Sequence, residues 1–148
     1  MGQLTLAVAN ELIATIFDEA GRRDLPPLAA AVLDAGGHLQ AMQRQDGVSF
    51  LRAEICQAKA WGALALGTET RDLAERFAGD PLQQGFMQAL NAMSDGRIVP
   101  LPGGVRLRDT SGLVIGAVGV AGAPSDQDEA CALAAIERLG LFAGGNGD

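Results

Sequence analysis

The sequence predicts an α+β fold in which helices cover the faces of an antiparallel sheet. Three observations carry this. Two pairs of extended segments are each joined by a short glycine-containing turn with no helix between them, at Asp34-Ala35-Gly36-Gly37 and at Asp109-Thr110-Ser111-Gly112. Long stretches on either side repeat their apolar residues at the helical spacing of three and four. Helices do not alternate with single strands, which disfavours a doubly wound parallel sheet.

The elements follow in order. From Thr5 to about Gly21, residues Leu6, Ala9, Leu12, Ile13, Ile16 and Ala20 form the apolar stripe of an amphipathic helix, with Gly21 as its stop. Pro26 and Pro27 forbid helix and lead into strands over Leu28 to Leu33 and His38 to Arg44. Ser49 caps a helix from about Phe50 to Leu66, which Gly67 ends. Thr68 or Thr70 begins a short helix to Phe77. Asp80 then caps a third helix with Pro81 in its first position and a stop near Asp95-Gly96. "IVPLPGG" is a loop, and Val105 to Arg108 alternates apolar and basic residues as a half-buried strand does. The next strand, "VIGAVGVAG" (114–122), loses packing at Gly116, Gly119 and Gly122, so something must lie against its bare backbone. Ser125 and Asp128 have the spacing of a capping box that opens a last helix ending near Gly140. The tail from about residue 143, "AGGNGD", reads as frayed.

Residues 1–148 read as a single domain, without internal repeats or a shift in composition. The core must come from Ala, Leu, Val and Ile, because there are five Phe, one Trp and no Tyr. A formal charge of −7 argues against nucleic acid or an anionic membrane surface as the main partner. No stretch reaches the roughly 18–20 apolar residues that span a bilayer. Cys56 and Cys131 read as buried thiols of a reducing compartment, and the expected location is cytoplasmic.

No zinc spacing and no phosphate-binding glycine loop is present, so no metal site is expected. His38, the one histidine, is either a solvated turn residue or an imidazole ligand for haem iron. Lys59 lies close to the apolar face of its helix and either snorkels outward or meets an anion. With Arg44 from the neighbouring strand, it would face a carboxylate in a sheltered cleft. Gly103 and Gly104 either reverse the chain or present amides to an anion.

Taken together, "VLDAGGHL", Arg44-x-Asp46-Gly47, the A-x-x-x-x-A-K-A run around Lys59, Thr70, "PGGV" and G-x-x-I-G-A-V-G-V-A-G followed by Asp126 and Asp128 form an ordered set. The chain resembles the GlcG/HbpS family of haem-binding-type proteins over about Leu4 to Leu139, a family related to the C-terminal domain of some cobalamin adenosyltransferases. The resemblance implies a profilin-like sandwich with a five-stranded antiparallel sheet, assembled into homo-oligomers. In such a fold the glycine strand admits a helix, a second subunit or a ligand, and packing by a helix or subunit is the favoured reading.

The function implied is small-ligand binding, with haem or another tetrapyrrole as the foremost ligand and basic residues receiving its carboxylates. Asp34, Arg44, Lys59, Gly103 and Gly104 carry over as pocket candidates, and Arg52 and His38 join them as ligand-binding residues. His38, Met42, Met87 and Met93 are the side chains able to donate to iron. The alternative is a cofactor-independent isomerase, decarboxylase or hydratase acting on a small organic acid. In it Arg44 or Arg52 anchors the substrate carboxylate, while Lys59, Glu54 or Asp34 moves the proton. A structural or regulatory partner of another enzyme is the third possibility.

Overall fold

Thr5 opens helix α1 (Leu6–Arg22) by accepting the Val8 amide on its hydroxyl at 3.1 Å. The computed structural model describes residues 4–144. After α1 come strands β1 (Ala29–Asp34) and β2 (Leu39–Arg44), then helices α2 (Phe50–Leu66), α3 (Thr70–Gly79) and α4 (Pro81–Met93). Strands β3 (Gly104–Arg108) and β4 (Val114–Ala121), helix α5 (Ser125–Arg138) and a short strand β5 (Phe142–Ala143) complete the described chain. All pairings are antiparallel, in the order β2-β1-β4-β3-β5. The five-stranded α+β architecture agrees with the predicted class.

Alternation along the strands gives the sheet two unlike faces. One carries Val32, Val105, Leu107, Val118 and Val120, which pack against α1 and α5 in the main core. The other carries Ala29, Ala31, Ala117 and Ala121 and lies under α2. On this second face Gly119 pairs with Ala31 on one side and with Gly104 on the other, a row of small residues running across three strands. Helix α2 settles into that row. A Cβ added at Gly119 would overlap the Cys56 carbonyl oxygen, and one at Gly104 would overlap the Lys59 carbonyl. At Gly119 the visitor is therefore helix backbone, whereas a Cβ at Gly116 or Gly122 would meet the Leu33 or the Pro27 carbonyl oxygen. On the far side of α2, helices α3 and α4 share a smaller core of Leu73, Met87 and Ile98, to which Trp61 adds its ring.

Two local expectations need correction. Ser125 is the first residue of α5 and not its cap; Pro124 holds the cap position, with no side-chain cap bond. Asp128 stays in the first turn of α5 but also takes a distant partner, described below. The tail also begins later than expected, because Ala143 pairs with Leu107 and the Gly144 amide donates to the Arg106 carbonyl at 2.7 Å. Residues 145–148 of the expected frayed tail lie outside the described residues.

Gly85 lies inside α4, and an added Cβ there would meet nothing within 4 Å. Gly85→Ala should therefore raise stability by about 0.5–1 kcal/mol, through lower backbone entropy of the unfolded chain. Chemical denaturation of the two proteins side by side reads this directly.

Candidate functional site

Helix α2 divides the candidate residues between its two sides. Its sheet side holds Lys59, which is 2% exposed. The Lys59 ammonium donates to the Val120 carbonyl at 2.9 Å and to Asp128 Oδ2 at 3.1 Å. Asp128, 1% exposed, accepts the Ala123 amide on its other oxygen at 3.0 Å. The pair thus ties α2 to the end of β4 and to the first turn of α5. Burial pulls the Lys59 amine below its usual value, and the neighbouring carboxylate partly offsets this. Burial likewise pushes the Asp128 carboxyl up, opposed mainly by Lys59.

Gly103 closes the pocket around this amine. With φ at +128°, it sits where an added Cβ would come within 2.8 Å of Lys59 Nζ. Gly104 follows in the strand, and its amide donates to Thr70 Oγ1 at 2.8 Å. Both glycines are buried, so neither offers an amide to an anion from solution. Arg44 is exposed at the end of edge strand β2. The shared cleft expected for Lys59 and Arg44 is not formed, because the lysine already has an internal carboxylate partner beneath α2. Arg52 is half-buried one turn before Cys56 on α2, and Cys56 and Cys131 are both buried free thiols. Burial pushes the Cys56 thiol up to about 12.

The outer side of α2 borders a cleft of about 370 Å³ against the β1–β2 hairpin and the segment after α4. Leu33, Leu39 and Trp61 give it apolar walls, while Glu54, Gln57, Asp95 and Arg97 supply polar groups. The Arg97 guanidinium lies 4.0 Å from the centre of the Trp61 ring, a cation–π contact. It is also tethered by its Nε, which donates to the Ser94 carbonyl at 2.8 Å. Of the residues singled out from sequence, Glu54 lines this cleft directly. Asp34 and His38 belong to the hairpin that forms its lip, since Gly37 and Leu39 on either side of His38 both line it.

At that lip the Asp34 carboxylate organises the turn. Its Oδ1 accepts from the Gly36 amide at 2.9 Å and the His38 amide at 3.0 Å, and lies 3.2 Å from His38 Nδ1. The His38 amide bond leads the interactions that hold the carboxyl below the usual aspartate range, so it is ionised at neutral pH. As an acceptor with its oxygen fully engaged, Asp34 is a turn anchor. The methionines are scattered: Met87 is buried, Met42 half-buried and Met93 exposed on α4.

Sequence reasoning passed over Trp61, Arg97 and Asp128 as site residues. Trp61 had one available signal, as the only tryptophan in an alanine-rich helix. Among the described residues, no group of three or more His, Cys, Asp or Glu comes together, and no helix is long and apolar enough to cross a membrane.

Comparison with known proteins adds to this geometry. A family model described as "Haem degrading protein HbpS-like" matches residues 4–137. The chain is 31% identical over 135 residues to an uncharacterized 15.0 kDa protein of the dhaT-dhaS intergenic region of Citrobacter freundii, covering 90% of each. It is 30% identical over 117 residues to the corrinoid adenosyltransferase PduO of Salmonella typhimurium strain LT2, spanning 78% of this chain but only 33% of that protein. Among solved structures, a PduOC–heme complex superposes with a TM-score of 0.83 at 24% identity, over 97% of this chain and 100% of the other.

Proposed function

The chain belongs to the HbpS-like family, and on that premise we propose that it is a ligand-binding protein whose cleft beside α2 takes a tetrapyrrole, haem foremost. The observation that carries this reading is the cleft itself: apolar walls of Leu33, Leu39 and Trp61, with the tethered Arg97 beside them. A tetrapyrrole needs that combination, an apolar surface for its macrocycle and a cation for its carboxylates. The Arg97 fork suits a carboxylate's two oxygens. Its tether and the Trp61 ring beneath it also reduce the side-chain freedom lost on binding.

The volume is at the lower end of the roughly 300–1,000 Å³ of small-molecule sites. The cleft would therefore take an edge or a face of the macrocycle and leave the remainder outside. Bound haem would supply its iron chemistry, while the protein supplies the seat. The family description and the PduOC–heme complex support haem as the ligand to test first. The lysine-based proton-transfer alternative gains nothing from the geometry, since the Lys59 amine faces Asp128 under α2.

Titration with haemin should give a saturable shift of the Soret band together with quenching of tryptophan fluorescence. Trp61 is the only tryptophan, so quenching reports binding through a single emitter, and the Arg97 variant below assigns it to this cleft. Arg97→Met should weaken binding by about tenfold, the loss of one charge-assisted contact. A linear, unsaturable absorbance change with unquenched Trp61 would overturn the proposal.

A further inference from the structure

We infer that α3 and α4 form one hinged unit that gates the cleft beside α2, opening on its own while the sheet, α1, α2 and α5 stay folded. The inference rests on the reading above for its ligand and adds the way that ligand is admitted.

The unit is fastened lightly to the rest of the chain. Helices α1, α2 and α5 bury six residues each, whereas α3 buries Thr70 and Leu73 and α4 buries Met87. Leu73, Met87 and Ile98 form a core of their own, apart from the main one. Among the described residues, no hydrogen bond or ion pair links residues 73–98 to the sheet or to α2. What holds them there is packing on Trp61 and Leu66, the approach of Leu73 and Ile98 to Gly62, and the stack of Arg97 on Trp61. A segment with so few buried contacts opens at a lower free energy than the core does.

One end of the unit is pinned. At the start of α3, Glu69 accepts from Arg106 Nε at 2.9 Å, and Thr70 Oγ1 accepts from the Gly104 amide at 2.8 Å. Arg71 Nε donates to Glu129 at 2.8 Å. Beyond that pivot, the cleft wall travels with α4. The Gly96 amide donates to the Asn91 carbonyl at 2.7 Å, and the Ile98 amide donates to Asn91 Oδ1 at 2.9 Å. Arg97 Nε donates to the Ser94 carbonyl, also in α4's last turn. Since Asp95, Gly96 and Arg97 line the cleft, a swing of α4 draws this wall off Trp61 and widens the entrance. Such lid motions run on microsecond-to-second timescales.

Hydrogen exchange read by mass spectrometry on the full chain, with and without haemin, tests the gate in wild type and in Leu73→Ala. In support, amides of residues 73–98 exchange together, about tenfold or more faster than those of α2, β1 and β4, and haemin slows them. Leu73→Ala, which truncates the small core alone, speeds exchange in α3 and α4 by about thirtyfold or more and leaves β1 and β4 unchanged. Exchange of residues 73–98 no faster than that of the sheet would overturn the gate, as would a Leu73→Ala effect spread evenly over β1 and β4. If haemin binds and leaves their exchange untouched, the gate falls and the cleft reading stands. If α3 and α4 open alone but haemin does not bind, the tetrapyrrole reading falls and the opening unit stands.

Discussion

Lys59→Met is expected to destabilise the protein by about 3–5 kcal/mol, the effect of removing one partner from a buried ion pair. The substitution leaves Asp128 enclosed with only the Ala123 amide for company and strips the Val120 carbonyl of its donor. The companion change behaves differently. Lys59→Met combined with Asp128→Asn should recover a large part of the loss, because asparagine can still accept the Ala123 amide and no buried charge remains.

The direction of the two titrations points the same way. Asp128 is raised above 3.8, so between 3.8 and its folded value the native state holds more protons than the unfolded chain, and its contribution falls as pH rises through that window. Lys59 is lowered below 10.5, so between its folded value and 10.5 the unfolded chain holds the extra proton, and its contribution rises with pH there. At neutral pH both groups therefore contribute less than unperturbed groups would. Burial outweighs the attraction, and the pair is worth more as a positional clamp between α2, β4 and α5 than as net stabilisation. Denaturant unfolding of the two single variants and the double variant closes the cycle. A Lys59→Met loss below about 1 kcal/mol would show the clamp to be dispensable.

Gly119→Ala is the second large effect, at about 3 kcal/mol or more, the upper end of overpacking. A single methyl group is usually absorbed when its neighbour is a side chain that can rotate. Here the neighbours are the Cys56 carbonyl and the Ala60 amide, both backbone of α2. Relief requires the whole helix to lift from the sheet. The same helix carries Trp61, so the shift should also move tryptophan emission and weaken haemin binding. Thermal unfolding and fluorescence on one sample would read all three. A Gly119→Ala protein as stable as wild type would mean that α2 does not rest on the sheet as described.

Much of this architecture was legible in the chain. The apolar spacing of α1, the Ser49 and Gly67 bounds of α2 and the Asp80-Pro81 start of α4 are local signals, and the structure places the elements at those positions. The hairpin at Asp34 to Gly37 was equally readable from its glycines, and with it the neighbourhood of His38. The fifth strand was not readable from spacing, because a two-residue strand is too short to show a period; only the family resemblance implied it.

The site residues divide in the same way. Asp128 satisfies the local pattern of a capping residue, while its actual partner lies 69 positions away along the chain. Trp61 and Arg97 meet across a helix and a loop, and Lys59 and Arg44, both conspicuous as cations, are separated by the sheet's edge and the underside of a helix. By itself the sequence determined which segments are helix or strand, that the sheet is antiparallel, and that something must approach its glycine-rich strand. Only the tertiary structure decided that the group approaching Gly119 is helix α2, that its lysine is consumed internally, and that a cleft opens on its other side. Secondary structure follows from contacts a few residues apart. The partners of a buried charge depend on how the sheet and helices pack.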